Sequence, residues 1–177
     1  MNRLPLINPE SATGPTKDVL DQAKATFGSV PNMVRAMANS PVVAETYLIA
    51  VKTLGKGQLS GAQREAVALA VAQANSCDYC LSAHTVIGKM NGLNEAQVAG
   101  SRNGQTGDAK LDAIVNVARR LVASKGHLTD ADLATAKSQG LTDAHLAEVV
   151  AHVAIGFYTN YFNHVAQPSI DFPVVHA

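Results

Sequence analysis

A six-residue phrase recurs four times in this chain: LSGAQR from Leu59, LNEAQV from Leu93, LTDADL from Leu128 and LTDAHL from Leu141. The spacing between copies is irregular, which argues against a solenoid. Helix capping explains the phrase better. A Ser, Asn or Thr after the leucine can accept from the unpaired N–H groups of a first helical turn, and a polar residue follows at the third helical position. In the last three copies Val98, Leu133 and Leu146 stand where a side chain staples back onto the leading leucine, whereas Arg64 breaks the staple in the first. The phrase thus marks four helix starts and carries no function of its own. Strand-like β-branched alternation is scarce, and the chain is expected to be all-α.

The remaining punctuation agrees. Gly14-Pro15 opens a helix with Val19, Ala23 and Phe27 on one face, and Gly28 closes it. Pro31 opens a short helix carrying Met33 and Met37. Ser40-Pro41 starts another to about Gly55, predicted to bury Val43, Tyr47, Val51 and Leu54. Further helices are predicted over about Gly61–Asn75 and Cys77–Met90, after Asn94, from Asp108 to Lys125, and from Thr129 to Gly140. The last runs from Thr142 to about Val165, with Leu146, Val149, Val150, Val153 and Phe157 inward, and Pro168 prevents its continuation. About eight helices are expected in a single domain over residues 1–177, its core at about 41–125.

Lys and Arg number 14, against 14 Asp and Glu. With no net charge, no basic stripe and no polybasic run, neither a nucleic-acid partner nor a membrane surface is expected. No apolar run is long enough to span a bilayer, and the N-terminal stretch is broken by prolines, so a cytoplasmic location is expected. A chain of 177 residues can bury a core without covalent staples. Its two cysteines are therefore expected to serve chemistry or metal rather than a scaffold.

Both cysteines fall in NSCDYCLSAH, three positions apart, with a histidine four positions further on. Cys77, Cys80 and His84 share one helix face. The Asn75-Ser76 break places Cys77 at a helix N-terminus, where partial positive charge favours thiolate over thiol. Folding the two helices back on each other about Ser76 leaves Glu65 and His84 differing in height by only about 5 Å, at roughly 1.5 Å rise per residue. Glu65 can then hold the far nitrogen of His84 and strengthen it as a base toward Cys80, with Cys77 in place as a resolving thiol.

The composite pattern Glu-x11-Cys-x-Tyr-Cys-x3-His resembles the alkylhydroperoxidase AhpD-like group within the carboxymuconolactone decarboxylase family. The likeness is strongest from Leu59 to Gly92 and extends to GSVPNMVRAMANSP and, more loosely, YTNYFNHVAQPSIDFP. It implies an AhpD-like helical domain with a central antiparallel helix pair carrying the CxxC. It further implies a thiol-dependent peroxidase acting on hydrogen peroxide or organic hydroperoxides. Cys80 would match the peroxidatic nucleophile and Cys77 the resolving cysteine of a redox-active Cys77–Cys80 disulfide. Glu65 and His84 would match the proton relay, and Tyr79 falls where some members carry a further relay histidine. No other cofactor is implied. An external dithiol of lipoamide or thioredoxin type would reopen the disulfide, and a homo-oligomer, trimer or hexamer, is implied.

Three alternatives stand beside this reading. Lactone decarboxylation is the family's other activity and requires no cysteine pair. A peroxidase-deficient disulfide reductase would use the same dithiol. A zinc-stabilised oligomeric binding module could use Cys77, Cys80, His84 and Glu65 as ligands, although the usual second CxxC or His pair is missing. His145, Glu148 and His152 lie near one face of the last helix and are expected to form a solvated or interface face. Asn160, Asn163 and His164 are polar intrusions on an apolar helix, either pocket-lining or at a subunit contact.

Overall fold

Each cap and breaker does its local work in the computed structural model, which describes residues 2–177. Nine helices and no strand occur among the described residues: α1 Gly14–Phe27, α2 Asn32–Met37, α3 Pro41–Leu54, α4 Gly61–Ala74, α5 Asp78–Met90, α6 Glu95–Asn103, α7 Ala109–Ala123, α8 Asp130–Ser138 and α9 Asp143–Ala166. All four capping phrases form reciprocal boxes, pairing Ser60 with Gln63, Asn94 with Gln97, Thr129 with Asp132 and Thr142 with His145. Their leading leucines Leu59, Leu93 and Leu141 are buried. Arg64, which has no staple to make, donates instead to the Leu59 carbonyl at 2.6 Å.

Small and apolar residues on every side let α4 occupy the centre. Ala66, Val67, Leu69, Ala70, Val71 and Ala72 are all buried, and α5, α6, α7 and α9 pack around it. One apolar cluster gathers Leu20, Val34, Met37, Leu69 and Leu81; a second gathers Leu59, Val67, Val71, Ile114 and Val149. Gly156 lets α9 approach closely, since a Cβ there would stand 2.8 Å from Val71 Cγ1. The α4–α5 pair is antiparallel as expected. A Cβ on Gly61 would run into Asn91, and one on Gly88 would lie 3.6 Å from the Glu65 Cβ.

Two apolar faces differ from expectation. On α3 the buried rail is Ala44 and Leu48, while Val43, Tyr47, Val51 and Leu54 flank it partly exposed. On α9 Val149 and Val153 are buried, but Val150 is 51% exposed. Both helices carry apolar residues around most of their circumference, so periodicity alone does not choose the rail. Beyond α9, which ends at Gln167 in a left-handed conformation (φ +43°), the C-terminal segment returns across α5. The Val175 N–H donates to Ser82 Oγ at 2.9 Å and the Ala177 N–H to Asp78 Oδ1 at 3.0 Å.

Candidate active site

Between α4 and α5 the chain turns through Ser76, whose φ of +52° is left-handed. The break at Asn75-Ser76 falls where expected, but neither residue is the N-cap of α5. Instead Cys77 is the N-cap: its Sγ accepts from the Cys80 N–H at 3.4 Å. The two sulfurs are 2.7 Å apart as free thiols. Both residues are buried, at 1% and 2% exposure, so neither sulfur is a surface nucleophile.

The pair divides its charge unequally. Hydrogen bonding from Cys80 holds the Cys77 thiol below the usual range against the cost of burial, helped by the Cys80 N–H, the Asn163 amide and the charge of His84. The Cys80 thiol is pushed well up by its bond to Cys77 and by burial, and the amides of Asn163 and Asn160 oppose this. One thiolate is thus favoured within the pair, and the titration belongs to the pair as a unit.

Rise arithmetic placed Glu65 and His84 within reach of each other, and Glu65 Oε2 meets His84 Nδ1 at 2.7 Å. Burial works against the imidazolium, but the charge and hydrogen bond of Glu65, with a smaller contribution from Cys77, raise His84 above its ordinary value. With Nδ1 engaged by the carboxylate, Nε2 is the nitrogen left for chemistry. His84 and Cys80 both line a cavity of about 400 Å³, walled largely by apolar side chains including Phe27, Met33, Ile87 and Phe172. Among the described residues no three His, Cys, Asp or Glu side chains form a group that could hold a metal ion.

The hydroxyl of Tyr79, the possible further relay residue, is engaged on two sides. Its hydroxyl donates to Asp171 Oδ1 at 2.7 Å and accepts from the Met33 N–H at 3.0 Å, and its ring meets Phe172 edge-on. Burial, outweighing the Met33 N–H, pushes the phenol up, as do Asp171 and Cys80. Its hydroxyl therefore ties the C-terminal segment to α2.

Four further residues reach the site. Asn163 Nδ2 donates to Cys80 Sγ at 3.2 Å and lies 3.3 Å from Met33 Sδ. Asn160, buried beside it, accepts from Asn75 Nδ2 at 2.9 Å. The pocket-lining choice for these asparagines is thereby met for Asn163, and His164 lies exposed on a second, smaller cavity. Tyr47, expected as core, lines the larger cavity, where burial, Glu65 and Cys80 drive its phenol upward. Phe172 comes from the aperiodic C-terminal segment, in the stretch where the family resemblance is looser.

The face of His145, Glu148 and His152, expected to be solvated or at an interface, is not freely solvated. His145 is 8% exposed and closes its own capping box. Glu148 accepts the N–H groups of Gln58 and Leu59 at 2.7 and 2.9 Å. His152 Nε2 is buried without a partner.

This arrangement, a dithiol at a helix start with a carboxylate-held histidine on an all-α frame, coincides with a family signature. Residues 41–124, from α3 through α7, match the model of the carboxymuconolactone decarboxylase family, and that segment carries Glu65, Cys77, Cys80 and His84. The resemblance read from the sequence is borne out, and the fold is AhpD-like. A peroxidase-related protein with the alkylhydroperoxidase AhpD core from Ralstonia eutropha JMP134 superposes with a TM-score of 0.83 at 18% identity, over 97% of this chain and 92% of that one. A peroxidase-related protein from Silicibacter sp. TM1040 gives 0.76 at 20% identity, over 97% and 90%. A variant of the debrominase Bmp8, in complex with 2,3,4-tribromopyrrole, gives 0.78 at 18% identity, over 97% and 94%. At these identities the likeness is one of fold. No curated protein sequence matches the chain. No helix among the described residues is long and apolar enough to cross a membrane.

Proposed function

We propose that the protein is a thiol-dependent peroxidase of the AhpD-like type, acting on organic hydroperoxides. The observation that carries this is the shared wall of the 400 Å³ cavity: Cys80 and His84 line it together, and His84 is held by Glu65 at 2.7 Å. Cys80 is taken as the nucleophile because it lines this cavity and Cys77 does not. At rest the thiolate of the dithiol is favoured on Cys77; for attack, Cys80 gives its proton to His84 Nε2, and the Cys80 thiolate attacks the distal oxygen of the hydroperoxide. The O–O bond breaks, Cys80 becomes sulfenic acid, and His84 protonates the departing alkoxide. Cys77 then attacks the Cys80 sulfur, releasing water and closing the disulfide. The sum is dithiol plus ROOH giving disulfide, ROH and water. The apolar lining favours an organic R group over hydrogen peroxide alone. Tyr79 acts in this reading as a positioning residue.

The test is mass spectrometry of the reduced protein before and after one equivalent of cumene hydroperoxide. The expected product is a Cys77–Cys80 disulfide. Cys80→Ser should abolish consumption of the hydroperoxide, and Cys77→Ser should consume one equivalent and stop at sulfenic acid. Unaltered thiols after treatment would sink the reading.

A second reading draws on the tribromopyrrole bound by the debrominase. A cavity of about 400 Å³ with aromatic walls can hold a halogenated ring beside a dithiol. Halide release from a bromopyrrole, absent in Cys80→Ser, would favour it. Lactone decarboxylation would instead survive the Cys77→Ser, Cys80→Ser double substitution.

A further inference from the structure

One buried side chain at the dithiol lies on neither α4 nor α5, and outside the family-matched residues 41–124. It is Asn163 on α9, 4% exposed. Its two ends are engaged unequally. Nδ2 donates to Cys80 Sγ at 3.2 Å and to Met33 Sδ at 3.3 Å. Oδ1 is buried with no hydrogen-bond partner among the described residues. Asn160, one turn earlier, has the opposite arrangement: its oxygen is used, accepting from Asn75 Nδ2 at 2.9 Å.

The sulfurs decide which end of the Asn163 amide faces them. A thioether has no hydrogen to give and can only accept, so Met33 Sδ selects the NH2 end. That nitrogen carries two N–H groups, one for each sulfur. The oxygen is then left without a donor. An unpaired buried acceptor is destabilising, and native structures keep few of them. A neutral thiol and a thioether are weak acceptors and offset little of that cost. A thiolate is a stronger one, because hydrogen bonds to ionised groups are roughly twice as strong as neutral ones. The amide therefore contributes most when Cys80 is an anion.

We propose that Asn163 is a catalytic residue of the dithiol site: its amide N–H, turned by Met33, stabilises the negative charge on Cys80 while that sulfur is the nucleophile. The proposal rests on the peroxidase reading only for what Cys80 attacks. When Cys80 gives its proton to His84, the charge left on Cys80 Sγ already has Nδ2 at 3.2 Å. No group has to move to meet it, which is the condition for preorganised electrostatic stabilisation. The same donor opposes the upward push that Cys77 and burial exert on the Cys80 thiol. The titratable groups around Cys80 are Cys77 and His84 on α5, Glu65 behind His84 on α4, and the phenols of Tyr47 on α3 and Tyr79 on α5. In this division His84 and Glu65 set where the proton goes, and Asn163 sets how well the sulfur holds the charge.

The experiment is the pH profile of iodoacetamide alkylation at Cys80, read by mass spectrometry on the full chain. A Cys77→Ser background leaves one titrating thiol, and the other titratable groups are common to every variant. Asn163→Leu should move the midpoint of the profile up by about one to two pH units, as expected when a hydrogen bond to a charged group is lost. At neutral pH alkylation should slow about three- to tenfold, because the more basic thiolate is scarcer but intrinsically more nucleophilic. Asn163→Asp keeps the shape, puts a second anion in place of the donor, and should move the midpoint at least as far. Asn163→Ala, which cannot overfill the site, should move it in the same direction. Thermal unfolding separates this from packing: Asn163→Leu removes the unpaired oxygen along with the donor, and should hold or raise Tm. A lowered Tm with an unmoved midpoint would make Asn163 a packing residue, and an unmoved midpoint in folded Asn163→Asp or Asn163→Ala would equally overturn the assignment. With both cysteines in place, Asn163→Leu should slow single-turnover consumption of cumene hydroperoxide by a similar factor. A moved midpoint in a protein that consumes no hydroperoxide would uphold the donor and overturn the peroxidase reading instead.

Discussion

Two carboxylate–histidine groups lie on the helices around α4, and they are put to opposite uses. On α4 and α5, Glu65 spends an oxygen on His84, and that histidine faces a cavity shared with a thiol. On α9, Glu148 spends both oxygens on the backbone N–H groups of Gln58 and Leu59, at the entry to α4. Burial raises Glu148, but those two N–H groups prevail and hold its carboxyl below the usual range. Residue type does not separate the two groups. What the carboxylate is bonded to does: one raises a base, the other satisfies the loop before a helix. The first should govern chemistry and the second stability.

The largest effect that can break this contrast is on the first group. His84→Ala should slow reaction of the dithiol with iodoacetamide near neutral pH strongly, by about 10²–10⁴-fold if His84 acts as a general base. The fold should persist, since His84 is only partly buried. An unchanged alkylation rate would remove His84 from the chemistry. Next in size, Glu148→Ala should cost about 1.5–3 kcal/mol of stability, the usual worth of hydrogen bonds to a charged group. At roughly 2–4 °C per kcal/mol for a chain of this length, thermal unfolding reads this directly. Single-turnover oxidation of the folded variant should not change. A stable but inactive Glu148→Ala would erase the distinction between the two groups.

Much of this contrast was legible in the sequence, and the reason is geometric. Glu65 and His84 sit on consecutive helices with one short break, so counting residues from Ser76 fixes their relative height. The four capping phrases were legible because a cap is a local interaction within a few residues. Asn163 is different. Whether it meets Cys80 depends on how α9 crosses α5, a matter of packing between elements remote in sequence. Asp171 and Phe172 lie in a segment with no period, held by single hydrogen bonds such as Asp171 Oδ2 to the Asn32 N–H at 2.9 Å. The bonds of Glu148 were out of reach for a related reason: its partners at Gln58 and Leu59 are about ninety residues away.

A smaller and more specific effect concerns pH. The folded value of His84 is raised above 6.5, so the stability from its pair with Glu65 is fully present below the unfolded value. That contribution is lost as pH rises through the folded value. Glu65→Gln removes the charge that raises it. The variant should therefore fall below the unaltered protein in Tm at about pH 6, by about 2–4 °C if the pair is worth roughly 1 kcal/mol. The gap should close at pH values above the folded value. A gap of constant size across that window would mean that Glu65 acts by packing and not by charge. For Glu148 the sign is opposite, since its contribution is present above the ordinary carboxylate range and fades as pH falls through its lowered value.

The smallest expected effect tests the second group from its other member. His152 Nε2 is buried with no partner, and burial and the Arg64 guanidinium together hold the imidazole below its ordinary value. Its nitrogen is thus a buried polar atom without a partner, on a ring whose surroundings favour the neutral form. Replacing such a group with an apolar one of similar size is often neutral or stabilising. His152→Leu should then hold or slightly raise Tm, within about 2 °C, and leave hydroperoxide reduction intact. A clear loss of hydroperoxide reduction in a well-folded His152→Leu would tie this histidine to the Glu65–His84 pair across α4. The two groups would then be one extended relay, and the division between chemistry and stability would have to be redrawn around Glu65.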